Sequence, residues 1–145
     1  MLNRSVENFG MPWERAFGYC QAVRVGQTIY LSGQLAHDQH GNLIGPAVLD
    51  DQGRIIDGSN SAIQMKATYA NAAALLGRYG LTLSNVVEET IYAVDFVAAF
   101  AAAGDIRRAA YESDWPQCAS TMVGTTRLAL PEQLIEISMT AIVPD

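Results

Sequence analysis

Hydrophobic residues along this chain follow two different periods, which predict strands in some segments and helices in others. Two short apolar runs, 21–25 and 28–32, are separated by Gly26-Gln27. A glycine in a two-residue connection is typical of a β-hairpin. Residues 86–94 are rich in β-branched and aromatic side chains and predict a third strand, and residues 120–124 predict a fourth.

The last predicted strand, 134–143, alternates between apolar and polar residues. The apolar residues share one face and the polar residues share the other: Ile135, Ile137, Met139, Ala141 and Val143 against Glu136, Ser138 and Thr140. We expect the first face to lie in the core. The second face must be in contact with solvent, be covered by another surface, or carry functional residues.

Helical spacing occupies two longer stretches. After the N-cap candidates Ser59-Asn60-Ser61, apolar residues recur at helical intervals until Gly80, a glycine expected to end the helix. Residues 98–112 predict a second helix, with Gly104 a weak point in it. The order ββ–α–β–α–ββ predicts one α+β domain over residues 1–145, with two helices packed on one face of a mixed sheet. A homotrimer is expected, because it would cover the second face of the sheet.

The segment 37–58 is rich in Gly, Asp, Asn and Gln and predicts a long excursion, with a small hairpin of its own around residues 44–56. His37 and His40 lie within it, at a spacing that could contact one metal ion. No third ligand is evident, so a solvated loop is the favoured interpretation. Cys20 and Cys118 lack the spacing of a zinc site and are expected to be buried free thiols.

Composition narrows the classes of partner. Nine basic and fifteen acidic residues give a net charge of −6, and the basic residues are scattered. Because an acidic chain repels a phosphate backbone, we expect no nucleic-acid partner. No apolar stretch approaches the ~18 residues of a membrane span, and the N-terminus shows no secretory signal. The expectation is a cytoplasmic protein with no membrane partner.

Four stretches of the sequence, in order, resemble the YjgF/RidA (reactive-intermediate deaminase, endoribonuclease L-PSP) family. They are Tyr19 to Gly26 followed by Ile29 to Gln34 with its Ser-Gly-Gln; Gln64, Asn71 and Gly80 on the first helix; Asn85 to Asp95; and Leu130-Pro131 through Ile137. The resemblance runs from about Tyr19 to Val143. It implies a two-layer α+β fold and a homotrimer with pockets at the subunit interfaces. It also implies hydrolysis of reactive enamines and imines, such as 2-aminoacrylate, without a cofactor or metal.

The same resemblance implies roles for single residues. Tyr19 matches the pocket tyrosine, and Ser32-Gly33 matches the segment whose backbone lines the pocket. Glu136 matches the carboxylate that positions the attacking water. A guanidinium that binds the substrate carboxylate completes the family's site.

That arginine is missing here. Alignment from Pro131 places Ser120 at its position, and alignment from Pro116 places Cys118 there. Neither side chain can form a charged two-bond clamp, and losing such a contact costs about 2–5 kcal/mol when the partner charge is desolvated. A standard 2-imino-acid deaminase is therefore not expected. Met122 stands where many members of the family carry cysteine.

Other arginines could replace the missing one. Arg107 and Arg108 lie on the second predicted helix, which lines family pockets across the interface, and Arg127 lies in the loop after the fourth strand. If none of them does, Glu136 stands without a cation beside it. Desolvation should then raise the pKa of Glu136.

Two functional hypotheses stay open. In the first, the chain hydrolyses a small imine, enamine or related metabolite with Glu136 and water. In the second, it is a non-catalytic small-ligand-binding or interaction module on the trimeric scaffold. Endoribonuclease activity is disfavoured by the acidic charge. An enzyme should keep Glu136 and Tyr19 facing one open cleft, whereas a scaffold could let Met122 fill that cleft.

Overall fold

The computed structural model describes residues 2–145. The helices are α1 (Pro12–Phe17), α2 (Ser61–Gly77) and α3 (Phe96–Tyr111), with a 3₁₀ turn at Leu83–Asn85. The strands are β1 (Ser5–Glu7), β2 (Ala22–Val25), β3 (Thr28–Gln34), β4 (Val48–Leu49), β5 (Ile55–Asp57), β6 (Val86–Ala93), β7 (Ala119–Gly124) and β8 (Ile135–Ile142).

Six of these strands form one sheet, in the order β1-β2-β3-β8-β6-β7. β6 and β7 run parallel and the other neighbours run antiparallel, so the sheet is mixed. The two long helices pack against one face of it, which confirms the predicted two-layer α+β fold. β4 and β5 pair separately, and this confirms a small hairpin within the segment 37–58.

Local sequence signals account for most of these elements. Gly26 adopts a φ of +60° at the β2–β3 turn, a conformation that favours glycine. The Oδ1 of Asp95 accepts a hydrogen bond of 3.0 Å from the N–H of Ala98 and caps α3. Gly104 does not interrupt that helix. Asn60 is the residue before α2, but its side chain donates to the carbonyl of Pro46 instead of capping the helix.

The core lies between the sheet and α2 and α3. The alternation predicted for β8 is confirmed from Ile135 to Ala141, where the apolar residues are buried and the polar ones lie on the other face. Full burial of such side chains contributes about 1.5–3 kcal/mol each. The largest buried apolar side chains are Ile29, Met65, Tyr69, Leu75, Leu76, Ile91, Leu134, Ile135 and Ile137. None of the helices within residues 2–145 has the length and apolar character needed to cross a membrane.

The second face of the sheet, which we call the open face, is uncovered in a single chain. Cross-strand pairing places Tyr30 beside Thr140, and Glu136, Tyr92 and Val123 in one row across β8, β6 and β7. Tyr30 is 53% exposed. β7 ends the sheet, so one side of its backbone is unpaired within the chain, as at any edge strand.

The sequence did not predict β1 and α1. Both are too short to show a periodic pattern. The buried carboxylate of Glu14 holds this segment by accepting hydrogen bonds of 2.8–2.9 Å from the backbone N–H groups of Phe9, Gly10 and Met11. β1 then pairs with β2 and extends the sheet.

The expectation of a solvated loop was wrong for His37. Its ring is 5% exposed and lies edge-on to the rings of Phe9 and Trp13, each with a centroid distance of 5.3 Å. Its Nδ1–H donates to the carbonyl of Asp38. The N-terminal segment supplies the two aromatic rings that cover His37, whereas His40 is exposed. The two histidines therefore lie in different environments.

Candidate functional site

Glu136 and Gly33 form the centre of the first cluster of predicted site residues. A Cβ on Gly33 would lie 1.9 Å from Oε1 of Glu136, so the carboxylate occupies the space that a side chain would need. The only side-chain hydrogen bond to this carboxylate within residues 2–145 is a long one, 3.3 Å from Nε2 of Gln133. Burial raises the pKa of Glu136, as the sequence predicted for a carboxylate without a cation beside it.

Tyr19 lies near this carboxylate and belongs to a small polar network. Its hydroxyl accepts a 3.4 Å hydrogen bond from Nε2 of Gln21, and Oε1 of Gln21 accepts a 2.9 Å bond from Nε2 of Gln34. Burial raises the pKa of Tyr19, and the charges of Glu14 and Glu136 raise it further. The hydroxyl is therefore a protonated donor at neutral pH.

Ser32 forms hydrogen bonds to the backbone of the same region. Its Oγ donates a 2.7 Å hydrogen bond to the carbonyl of Cys20, and its N–H donates to the carbonyl of Gln21. The pairing of β3 with β8 shifts register between Leu31 and Gln34, and this irregularity surrounds Gly33. Two buried polar atoms nearby, Nε1 of Trp13 and Oε1 of Gln34, have no hydrogen-bond partner. Such groups are typical of sites that bind water or a ligand.

The other predicted site residues surround a different carboxylate, that of Glu89. It is fully buried and accepts four hydrogen bonds, from the Tyr69 hydroxyl (2.9 Å), the Tyr111 hydroxyl (2.8 Å), Oγ of Ser120 (2.8 Å) and Nε of Arg107 (2.5 Å). Cys118 borders this cluster, with its Sγ 3.4 Å from Nη2 of Arg107 and 3.4 Å from the Tyr111 hydroxyl. It is a half-buried free thiol, as is Cys20.

The electrostatics of the Glu89 cluster keep Tyr69, Tyr111 and Arg107 protonated. Burial raises the pKa values of Tyr69 and Tyr111, and the charge of Glu89 raises them further, so both phenols remain donors. Burial disfavours the charged guanidinium of Arg107 and by itself would lower its pKa. The hydrogen bond and charge of Glu89 outweigh that effect, and the pKa of Arg107 lies above its ordinary value. The cluster is a satisfied ion pair with three neutral donors around it.

The two clusters are separate within one chain. Glu136 lies on the open face, opposite Tyr92, whereas Ser120 pairs with Glu89, which faces the helices. The structure therefore brings together Tyr19, Gly33 and Glu136, with the backbone of Ser32. It brings Arg107, Cys118 and Ser120 together elsewhere.

None of the candidate replacement arginines forms an ion pair with Glu136 within residues 2–145. Arg107 is held by Glu89, and Arg108 pairs with Asp105 at 2.5 Å. Arg127 is exposed in the loop between β7 and β8 and forms no ion pair in the described part of the chain. Met122 pairs with Ile91 and packs against the core, so it does not fill the space around Glu136.

Sequence reasoning missed several participants. Alternation along β6 directs the carboxylates of Glu88 and Glu89 to opposite faces, and Glu88 is exposed on the open face. The hydrogen-bond partners of Glu89 come from α2, α3 and β7, however, and no local pattern in the sequence indicates them. Gln21, Gln34 and Gln133 were missed for the same reason. No three His, Cys, Asp or Glu side chains within residues 2–145 are placed to bind a metal ion together.

Comparison with known proteins gives consistent matches. Residues 13–143 match the family model described as Endoribonuclease L-PSP. Proteins named 2-iminobutanoate/2-iminopropanoate deaminase from Bos taurus and Capra hircus are 32% and 30% identical over 114 residues, which cover 79% of this chain and 71% of each relative. A crystal structure of a YjgF/YER057c/UK114 family member from Mycobacterium tuberculosis superposes with a TM-score of 0.75 and 26% identity, covering 97% of this chain and 100% of the other.

Proposed function

Because this chain belongs to the endoribonuclease L-PSP (YjgF/RidA) family, we propose that it hydrolyses a small imine or enamine without a cofactor, with Glu136 positioning the attacking water. The observation that carries the proposal is the state of the Glu136 carboxylate. It is partly buried, weakly hydrogen-bonded and raised in pKa. A carboxylate whose pKa is raised is a stronger base than an ordinary one, which suits a general base.

The proposed reaction needs few groups. Water attacks the imine carbon while Glu136 accepts its proton. The nitrogen takes that proton back, which gives a neutral carbinolamine. Glu136 then accepts the hydroxyl proton and passes it to the nitrogen, so ammonia leaves as the carbonyl forms, and imine and water give carbonyl compound and ammonia. The Tyr19 hydroxyl and the backbone beside Gly33 would orient the substrate.

The surroundings of Glu136 favour a substrate other than a 2-imino acid. The two mammalian relatives are named for 2-iminobutanoate and 2-iminopropanoate, whose carboxylates call for a cation. In this chain Ser120 stands at the family's arginine position in one alignment, and its hydroxyl is bonded to Glu89. We therefore propose neutral or cationic imines and enamines as the substrate class.

We also propose a homotrimer with its pockets between subunits. The open face carries exposed Tyr30 and Val123, and β7 offers an unpaired edge beside it. A second chain seated there would enclose Glu136, which a single chain leaves on an uncovered surface. Exclusion of water in this way strengthens the electrostatic interactions within a site.

The test is an assay in which the enzyme and semicarbazide compete for the imine. Hydrolysis by the enzyme is measured as a decrease in the amount of imine that semicarbazide traps. Neutral enamines and 2-iminobutanoate are compared in wild type, Glu136→Gln and Glu88→Gln. Glu88 is the matched control, because it is an exposed acid on the same face. We expect Glu136→Gln to lower kcat/KM by about 10²–10⁴-fold and Glu88→Gln to leave it unchanged. Full activity in Glu136→Gln would exclude the proposed role.

One observation favours a non-catalytic binding module as the second candidate. Oε1 of Glu136 rests against the backbone of Gly33, which leaves less of the carboxylate free to hold an attacking water. On this hypothesis small imines are not turned over, and a stable carbonyl compound such as 2-oxobutyrate binds with equal affinity in wild type and Glu136→Gln. Turnover of any imine above the rate in buffer alone would exclude it.

A further inference from the structure

A concave site lies between the β4–β5 hairpin and the loop that joins β7 to β8, and it borders the Glu136 cluster at Gln133. The cavity has a volume of about 510 Å³. That size lies within the range of about 300–1,000 Å³ that is usual for small-molecule sites. The two segments are tied beside it by a hydrogen bond from the N–H of Ala47 to the carbonyl of Glu132.

The charge of this cavity is opposite to that of the protein. Arg54 from the hairpin and Arg127 from the loop both line it, and no acidic side chain does. The net charge of the chain is −6, with only nine basic residues. The charge of Arg54 is partly offset by its ion pair with Asp50, and the guanidinium of Arg127 beside it, unpaired within residues 2–145, makes a local positive potential that attracts anions.

Both guanidinium groups keep donors available for a ligand. Arg54 uses Nε to bind Asp50 at 2.8 Å, and its two terminal nitrogens have no partner within residues 2–145. Arg127 forms no ion pair there at all. A planar guanidinium binds a carboxylate through two parallel hydrogen bonds.

The remaining walls are mainly apolar and include Leu49, Ile55, Val94 and Pro131. They suit a short aliphatic body attached to the anionic group. Gln133 completes the lining, and its side chain is fully buried. Since Nε2 of Gln133 also donates to Glu136, this amide separates the cavity from the Glu136 cluster.

We propose that this cavity binds small aliphatic carboxylates, with Arg127 and Arg54 as the carboxylate-binding residues. The proposal concerns binding alone. It does not depend on the hydrolysis proposed above, and either can fail without the other.

The test is a titration of the ¹⁵N-labelled chain with isobutyrate at constant ionic strength, followed by amide chemical shifts. We expect saturable shifts at Ile55, Thr126 and Arg127 and in the side-chain amide of Gln133. Isobutyramide, which has the same shape without the charge, should cause none. Arg127→Ala should weaken binding about tenfold or more. Arg127→Lys should retain part of the affinity, because lysine keeps the positive charge but cannot donate two parallel hydrogen bonds.

Arg15→Ala is the matched control, because Arg15 is an exposed arginine on α1 outside the cavity. It should bind within about twofold of wild type. Equal affinity in wild type, Arg127→Ala and Arg54→Ala would overturn the proposal. So would shifts that rise linearly without saturation, or shifts centred on Cys118 and Ser120. Dispersed amide spectra of the variants establish that they are folded.

Discussion

The carboxylate of Glu136 lies directly over Gly33, so that Oε1 would fall 1.9 Å from a Cβ at that position. The two residues belong to neighbouring strands, β8 and β3, where the register shifts between Leu31 and Gln34. Glycine at position 33 therefore sets where the carboxylate rests. This contact links a sequence motif on one strand to the proposed catalytic group on another.

Gly33→Ala should lower activity more than it lowers stability. The three atoms nearest the new methyl group all belong to the flexible side chain of Glu136, so we expect the carboxylate to move and the fold to persist. A displacement of about 1 Å can cost about 10²-fold in rate. We therefore expect kcat/KM to fall about 10–10²-fold, with the free energy of unfolding within about 1 kcal/mol of wild type. Gly77→Ala, at the end of α2 with nothing within 4 Å of the added Cβ, is the control. Equal losses in both variants would contradict the argument.

Glu136→Gln should make the protein more heat-stable at high pH and leave it unchanged at low pH. The pKa of Glu136 is raised in the folded protein above its ordinary value of 4.5. The folded state therefore binds the proton more tightly, and stability is lost as the pH rises through the raised pKa. Glutamine removes this loss. We expect Tm to be higher in the variant at pH 8 and equal at pH 4, measured by calorimetry alongside Glu88→Gln. A lower Tm at pH 8 would show that the charged form is stabilised.

Glu89→Gln should destabilise the fold strongly. The buried carboxylate accepts bonds from four side chains, and an amide offers one acceptor oxygen and adds two donors. Arg107 would also lose its counter-charge. Breaking a buried ion pair typically costs about 3–5 kcal/mol. Urea unfolding should show a loss of that size, against about 0.5 kcal/mol or less for Glu88→Gln. Equal stability of the two variants would show that the cluster contributes no net stabilisation.

Val123→Glu should dissociate the proposed trimer. Val123 lies on the open face of edge strand β7, where a charge would be buried against a second chain. Sedimentation at micromolar concentration should give about 47 kDa for the wild type, three times the 15.7 kDa of one chain, and the mass of one chain for the variant. Val97→Glu, 79% exposed on α3, should keep the wild-type mass. A monomeric wild type would refute the trimer.

Most of the fold could be predicted because its signals are local. The hairpin at Gly26, the alternation along β8 and the periodicity of α2 each depend on neighbouring residues, and the structure confirms all three. The segment up to Phe17 could not be predicted. Its strand and helix are a turn or two long and depend on Glu14 and on pairing with β2.

The candidate site also contains some features that local sequence signals predict and others that depend on long-range contacts. The residue types around Glu136 were evident from sequence motifs, and so was the consequence for its pKa of having no cation beside it. The sequence could not show that Ser120 and Arg107 lie on Glu89, on the opposite face of the sheet.

Features that depend on residue type and short-range spacing were thus determined by the sequence alone: the main elements after Phe17 and their order. The tertiary structure decided which carboxylate each side chain meets. A strand directs alternate side chains to opposite faces, and the pairing of β6 with both β7 and β8 selects the face that Ser120 and Glu136 each occupy. Those pairings join residues far apart in the chain, so their outcome depends on the packing of the whole domain.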